Sequence, residues 1–330
     1  MPKSKLVTIF GGSGFLGRYI ARRMAKAGWR VRVAVRRPNE AVYVRTYGVV
    51  GQVEPVLCNI RDDESVRSVL RGADAAVNCV GTFDKGGKNN FDAVQNKGAA
   101  RIGRIAKEEG VKRLVHISAI GADAESETLY GQSKGQGEAA ILDSFPDAVI
   151  LRPSVMFGAE DSFFNRFAGM TRWGPALPVV GASTKFQTVW VDDVAAAAEM
   201  GVKGTAVPGI YELGGPDVNT FRELMQQMLG VIHRRRLILN IPFWAASIMA
   251  GVMEFVQTIT FGLVPAQITR DQVQTLKSDN VVADEGVMTF ADLGIDPVAM
   301  EAVLPDYLWR FRPDGQYDDI KRSASNLRGA

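Results

Sequence analysis

An α/β fold with a doubly wound parallel sheet is what this chain predicts, and three features carry that expectation. Short apolar runs rich in β-branched residues recur at Leu6–Phe10, Trp29–Val35, Gln52–Cys58, Ala73–Cys79 and Arg113–Ile117. Stretches of helical period separate them. In the first, Leu16, Ile20, Met24 and Ala27 form an apolar stripe opposite Arg18, Arg22, Arg23 and Lys26. The junction between the first run and this helix is the glycine cluster Gly11-Gly-Ser13-Gly14-Phe15-Leu16-Gly17. Strands alternating with helices imply βαβ units and a parallel sheet.

The glycine junction is the informative part of the first element. Glycine admits φ > 0 and lets backbone approach a ligand closely. A helix N-terminus directly behind it offers free N–H groups and the positive end of the dipole to a phosphate. Spacing alone is weak in a chain with 34 glycines. The preceding strand and following amphipathic helix make it a dinucleotide-binding turn, with Gly11, Ser13, Gly14, Phe15, Leu16 and Gly17 against the pyrophosphate.

The second strand closes on Arg36-Arg37-Pro38, where an NAD-selective site would carry an acid for the ribose 2′-hydroxyl. Two guanidiniums suit a 2′-phosphate, so NADPH is the expected cofactor, although exposed arginines ending a strand also account for the pattern. The third and fourth strands end in Asn59-Ile60 and in Asn78-Cys79-Val80-Gly81, on the cofactor edge of such a sheet. A polar loop, 82–90, and a helix from about Phe91 to Glu109 follow, with Val94, Ala99, Ile102 and Ile105 as core positions. Ser118 ends the fifth strand.

Tyr130 and Lys134 lie four apart on one face of the next helix. An ammonium beside the phenol favours tyrosinate and makes the pair a proton donor and acceptor for hydride chemistry.

Composition excludes little else. A net charge of +3 does not imply nucleic acid, but residues 1–45 hold eleven Lys and Arg against the single acid Glu40, which fits an anionic ligand and a solvated helix face. Two cysteines, Cys58 and Cys79, indicate a reducing compartment without a disulfide framework. Two histidines and no cluster of Cys, His and acid leave no metal site to expect. Only five residues precede the first strand, so a cytoplasmic, bacterial chain without a leader is expected.

Taken together, the glycine turn and Tyr130-x-x-x-Lys134 resemble the short-chain dehydrogenase/reductase superfamily. Leu151-Arg-Pro153-Ser154-Val155-Met-Phe157-Gly and Val189-Trp-Val-Asp-Asp193-Val-Ala are similar to its extended, epimerase-like branch. That resemblance implies a Rossmann-type domain over 1–158, with strands contributed from about 186–213, and a smaller α/β lobe over 159–330. It also implies that Pro153, Ser154 and Val155 approach the nicotinamide, and that Lys134 bonds its ribose. A second resemblance is more specific and runs over roughly 5–310. Arg152-Pro-Ser154, Phe157-Gly-Ala-Glu-Asp161, Phe163-Phe-Asn165-Arg, Lys185-Phe-Gln187, Thr269-Arg-Asp-Gln272 and Leu276-Lys-Ser-Asp279-Asn280 look like the dehydrogenase-like accessory subunit family of respiratory complex I. It implies NADPH held as a structural cofactor, complex I subunits near the junction of its two arms as partners, and a peripheral place on the cytoplasmic side of the bacterial inner membrane. Ser118 is the only hydroxyl in Ser118-Ala-Ile120-Gly able to hold a substrate carbonyl, so the catalytic set Tyr130, Lys134 and Ser118 is expected to be vestigial or unused. Asn59 stands where relatives often carry Asp against the adenine. A free NADPH-dependent reductase or nucleotide-sugar epimerase, and a module sensing the NADPH/NADP ratio, stay open as rivals.

In the second half, Phe243 to Gly262 is largely apolar, with Trp244, Ile248, Val252, Phe255 and Ile259 on one stripe. Glu254 and Gln257 argue against a spanning helix. A buried domain helix, and one docking on a partner or in the membrane interface, are both compatible with it. The polar tail 313–330 is expected to be mobile or ordered only by a partner.

Overall fold

A computed structural model describes residues 4–83, 86–260 and 268–317 of the chain. Residues 261 and 262 of the apolar stretch, two residues of the 82–90 loop, and positions 318–330 of the tail lie outside the described residues. The chain divides into two compact units, the first comprising 1–154, 191–214 and 282–297.

Elements are numbered in chain order. The first unit contains β1 (Leu6–Phe10), α1 (Phe15–Lys26), β2 (Arg30–Val35), β3 (Val53–Leu57), α2 (Asp63–Leu70), β4 (Ala75–Asn78), α3 (Lys97–Glu108), β5 (Arg113–Ile117), α4 (Leu129–Ser144), β6 (Val149–Pro153), α6 (Val191–Lys203) and β11 (Gly209–Leu213). Seven strands form one sheet in the order β11-β6-β5-β4-β1-β2-β3, and every pairing is parallel. The chain direction therefore switches between β1 and β4, and ligands of such sheets bind at the carboxyl ends of the strands beside that switch. Helices cover both faces of the central strands, so Val7, Ile9, Phe10, Val33, Val77 and Val115 are all buried, and each strand reads as an apolar run rather than an alternation. Thr8, buried in β1, donates its hydroxyl to the Val69 carbonyl at 2.7 Å.

The expected helix from Phe91 is broken into a π-turn over Asp92–Asn96 followed by α3. Val94, Ala99, Ile102 and Ile105 are buried as expected. The π-turn brings Gln95 inward. Its amide donates to the Thr82 carbonyl at 2.7 Å and its oxygen accepts the Ser133 hydroxyl at 2.7 Å.

Residues beyond 190 return to this unit through ionic contacts. Arg23 on α1 forks onto Asp192 at 2.9 and 2.8 Å and reaches Glu199 at 3.3 Å, both on α6. Arg152 on β6 forks onto Glu138 of α4 at 2.9 and 2.6 Å and reaches Glu212 of β11 at 3.4 Å. The other Glu212 oxygen accepts the Ala283 N–H at 3.0 Å. Met288 adds a backbone bond from Glu212 at 2.8 Å. Residues 282–297 thus belong to the first unit, a return that no local pattern in the sequence announces.

The second unit, 155–190, 215–281 and 298–330, contains β7 (Met156–Phe157), α5 (Phe164–Met170), β8 (Ala176–Val180), β9 (Lys185–Phe186), β10 (Val189–Trp190), β12 (Asn219–Thr220), α7 (Phe221–Val231), β13 (Leu237–Ile241), α8 (Phe243–Ile259), α9 (Arg270–Thr275) and α10 (Met300–Leu308). Its strands pair two by two: β10 with β7, β12 with β9 and β13 with β8. The core gathers Phe157, Phe164, Leu177, Phe186, Phe221, Leu224, Met228 and Leu304. Asp161 anchors the turn behind β7. Its carboxylate accepts the Tyr307 hydroxyl at 2.6 Å and the N–H groups of Gly158 at 3.3 Å and Asn165 at 3.0 Å.

Helix α8 buries only its small face, with Ala246 and Ala250 packed near Val180 and Val273. Trp244, Ile248, Val252, Phe255 and Ile259 are 56–70% exposed. The buried-helix reading of this stretch is therefore corrected: small residues pack inward and the large apolar stripe faces outward. Among the described residues, no helix is long and apolar enough to cross a membrane.

The Glu138–Arg152–Glu212 triad supplies a direct test of the first unit. Arg152→Met leaves two buried carboxylates without their cation, and unfolding free energy should fall by about 3–5 kcal/mol. Urea denaturation measures this, and a loss below about 1 kcal/mol would show that the triad does not hold β11 to the sheet.

Candidate cofactor site

The glycine turn is built by close approach. A side chain at Gly17 would place its first carbon 2.4 Å from the Gly11 carbonyl oxygen and 2.6 Å from the Gly12 Cα. Only glycine lets α1 begin so near the end of β1. Gly11 sits at φ +71°, and its N–H donates to the Ala34 carbonyl of β2 at 3.0 Å. Gly14 caps α1 with no side-chain hydrogen bond, and no acid stands in the first turn. The leading amides of Phe15, Leu16 and Gly17 therefore carry no side-chain cap, the arrangement an anionic phosphate requires.

Two residues outside the expected set brace the turn. The Tyr43 hydroxyl donates to the Ser13 carbonyl at 2.6 Å. Arg18 donates to the same carbonyl at 3.3 Å and to Gly14 at 3.3 Å, with its guanidinium 5.3 Å over the Tyr43 ring. Arg18 follows the third glycine and could have been singled out by that position. Tyr43 lies 30 residues from Ser13, in a 3-10 run (Pro38–Tyr47), and carries no local signal.

Several expected residues converge at the ends of β4, β5 and β6. The Val80 N–H donates to the Asn78 side chain at 3.1 Å. A side chain at Gly11 would lie 3.3 Å from Val80. Gly81 faces the Lys134 ammonium, 3.9 Å from where its own first side-chain carbon would stand. Lys134 is buried and donates to the Ile117 carbonyl at 3.1 Å. Burial pulls its ammonium down to about 8, opposed by the Glu138 carboxylate one turn on. His116 is buried beside it, held near Asn78 at 3.1 Å. Burial and the Lys134 charge push its imidazole down to about 3, which keeps it neutral. Ser118 is buried at the end of β5, and among the described residues its hydroxyl and the His116 Nε2 have no hydrogen-bond partner. Pro153 closes β6, its carbonyl accepting the Ile120 N–H at 3.2 Å, and the Ser154 N–H donates to Leu213 at 2.9 Å.

Tyr130 is half-buried. Its ring stacks on Phe83 at 5.3 Å between centroids and meets the edge of Phe91 at 6.1 Å. The expectation that Lys134 favours tyrosinate is corrected: burial dominates and pushes the phenol up to about 12. Phe83, assigned from sequence to a polar loop, is thus an aromatic neighbour of the Tyr130 ring.

Among the described residues, no hydrogen bond or ion pair joins the remaining expected residues to this cluster. Arg36 and Arg37 are exposed at the end of β2, and Arg37 pairs with Glu40 at 3.0 Å. The Asn59 side chain accepts from the Arg61 backbone at 3.2 Å. Ile60 packs against the core of the first unit, and its carbonyl accepts from Arg101 at 3.0 Å. Val155 opens the second unit, its N–H donating to the Asn280 side chain at 3.2 Å. The described residues contain no cluster of His, Cys and acid able to hold a metal.

A parallel sheet with this switch point, an uncapped glycine turn and an orphaned Ser118 hydroxyl fit a nicotinamide dinucleotide. They define a Rossmann-type fold of the kind that holds a nicotinamide dinucleotide. A family model described as NAD(P)H-binding matches residues 11–162. The mitochondrial NADH dehydrogenase (ubiquinone) 1 alpha subcomplex subunit 9 of Arabidopsis thaliana is 33% identical over 317 residues, covering 94% of this chain and 79% of that protein. A ceramide reductase of Caulobacter vibrioides is 28% identical over 239 residues, 72% of this chain and 74% of its own length. Among solved structures, UDP-glucose 4-epimerase of Thermotoga maritima superposes with a TM-score of 0.69 at 14% identity, over 93% of this chain and 98% of that one. The chain belongs to the family of the NADH dehydrogenase (ubiquinone) 1 alpha subcomplex subunit 9.

Lys134 makes the site titratable. In the unfolded chain a lysine keeps its proton to about pH 10.4, whereas the folded ammonium releases it near 8. The unfolded state then binds more protons through that interval, so the Lys134 contribution to stability rises as pH goes from about 8 to about 10. Urea unfolding across this interval should show the rise, and Lys134→Met should flatten it.

Proposed function

We propose that this chain is an NADPH-holding accessory subunit of a respiratory NADH:ubiquinone oxidoreductase, complex I, in which the cofactor braces the fold and is not turned over. The observation that carries this reading is the 33% identity to a complex I subunit across 94% of the chain. The exposed stripe of α8 supplies an apolar face for neighbouring subunits or the membrane surface. We place the chain near the junction of the peripheral and membrane arms, on the cytoplasmic face of a bacterial inner membrane.

In this reading the amides of Phe15, Leu16 and Gly17 hold the pyrophosphate. Arg36 and Arg37 hold the 2′-phosphate, and Asn59 and Ile60 flank the adenine. Val80, Gly81, Pro153, Ser154 and Val155 line the nicotinamide end, with Lys134 toward its ribose. A bound NADPH would supply a hydride donor. The chain's own groups at that end are poorly set to use one: the Tyr130 phenol is pushed up to about 12, and Lys134 is committed to the Ile117 carbonyl. NADPH stabilises a fold that binds it only when native, by an amount that grows with the logarithm of concentration over Kd.

A second reading, a free NADPH-dependent reductase, is favoured by the presence of Ser118, Tyr130 and Lys134 and by the likeness to a ceramide reductase. Affinity purification of the tagged chain from detergent-solubilised membranes separates the two. Complex I subunits should co-purify, and Tyr130→Phe should leave their recovery and respiration unchanged. Recovery as a lone soluble species would sink the subunit reading.

Cofactor choice is tested at the end of β2. Substituting both Arg36→Ala and Arg37→Ala should weaken NADPH binding about tenfold or more by removing charge-assisted contacts. NADH affinity should hardly move. Nicotinamide fluorescence titration measures both, and unchanged NADPH affinity would refute the assignment.

A further inference from the structure

The second unit carries a ring of arginines that the cofactor site does not use. The residue at its centre is Phe311, whose buried ring has the Arg172 guanidinium at 4.9 Å and that of Arg310 at 5.2 Å. Its carbonyl accepts the Arg234 Nε at 2.8 Å. Arg236 donates its Nε to the Thr171 carbonyl at 2.9 Å, and Arg312 its own to Val231 at 2.9 Å. Arg172 adds one bond to the Arg310 carbonyl at 3.1 Å.

Long cationic side chains on a surface ordinarily spread apart and pair with acids. Here each is pinned, by its Nε or by a ring face, beside others of the same sign. Among the described residues Arg172, Arg234 and Arg236 have no carboxylate partner. Their mutual repulsion is visible in Arg234, whose guanidinium is pulled down by burial and then by Arg236 and Arg172. A guanidinium has five N–H donors. Arg234 spends only its Nε on the protein, and Arg172 spends a single Nη hydrogen. The unspent donors are held in place before any ligand arrives, so little side-chain entropy remains to be lost on binding.

We propose that Arg172, Arg234 and Arg236 form a binding site for a phosphate group, carried either by a soluble phosphate or by an anionic lipid headgroup. Guanidinium forks anchored side by side at Thr171 and Phe311, with no acid between them among the described residues, suit the oxygens of a phosphate. The neighbouring Trp173, 91% exposed, stands beside the site where an indole could report a lipid surface. This site is independent of the dinucleotide turn and of complex I membership.

The test uses the full-length chain. Inorganic phosphate is titrated against it by phosphorus NMR line broadening, at ionic strength matched with sodium chloride. Co-sedimentation uses vesicles of phosphatidylcholine alone and of phosphatidylcholine with phosphatidylglycerol. Arg172→Gln, an exposed change that removes one hydrogen bond and the guanidinium over Phe311, should weaken binding of the effective probe about tenfold. Replacing Arg234→Lys and Arg236→Lys together keeps charge but removes the forks, and should weaken it similarly while circular dichroism confirms the fold. Phosphate binding without vesicle binding assigns a soluble ligand. Selective binding to the phosphatidylglycerol vesicles, with a blue shift of emission that Trp173→Phe removes, assigns the lipid. If the native chain binds neither probe, or if both sets of variants bind as it does, the proposal fails.

Discussion

The first unit depends on one close approach, that of the α1 backbone at Gly17 to the Gly11 carbonyl and Gly12 Cα. A single added carbon there would overlap the turn. The same contact aims the uncapped amides of α1 past the end of β1, beside the switch between β1 and β4. The start of α1 and the aim of its first amides are thus consequences of one steric allowance. Tyr43 and Arg18 then lock the turn through the Ser13 carbonyl. These braces turn a flexible glycine segment into a preformed cradle, which reduces the ordering that a bound dinucleotide would impose.

Buried charge organises the other end of the site. Tyr130, Lys134 and Glu138 follow one face of α4, and Glu138 is held in turn by Arg152 and Glu212. The order of these groups matters. Glu138 supports the Lys134 ammonium against burial, Lys134 bonds a strand carbonyl, and the phenol is left with burial as its main influence. A residue set shared with reductases therefore sits where burial holds the phenol protonated. Among the described residues, the buried Ser118 hydroxyl has no hydrogen-bond partner.

The second unit turns one cluster of phenylalanines inward and an apolar stripe of α8 outward. Phe163, Phe164, Phe167, Phe186 and Phe221 form a stacked and edge-on cluster. Helix α8 buries Ala246 and Ala250 in its packing, with Phe243 partly buried beside them. A soluble monomer gains nothing from a row of exposed Trp, Ile, Val and Phe at helical spacing, whereas a surface that meets other protein or lipid does.

Much of the first unit was legible because its information is local. Periodicity located β1 to β5 and α1, and Gly11, Gly14 and Gly17 announced the turn, since both depend on neighbours in sequence. The π-turn at Gln95 was not legible, as it follows from packing of α4 on that segment, where the Gln95 carbonyl would lie 2.2 Å from a side-chain carbon at Gly137. Nor was the Tyr43 brace, the return of 282–297 through Ala283 and Met288, or the arginines gathered on Phe311, because each joins residues distant in the chain. The sequence by itself determined the parallel α/β class, the dinucleotide turn and the presence of Ser118, Tyr130 and Lys134, all written in spacing and residue type. Only the tertiary structure decided which side of α8 is buried and how Tyr130 and Lys134 are tuned. Burial and the charges gathered around a group are properties of the assembled fold, and no residue carries them in its own identity.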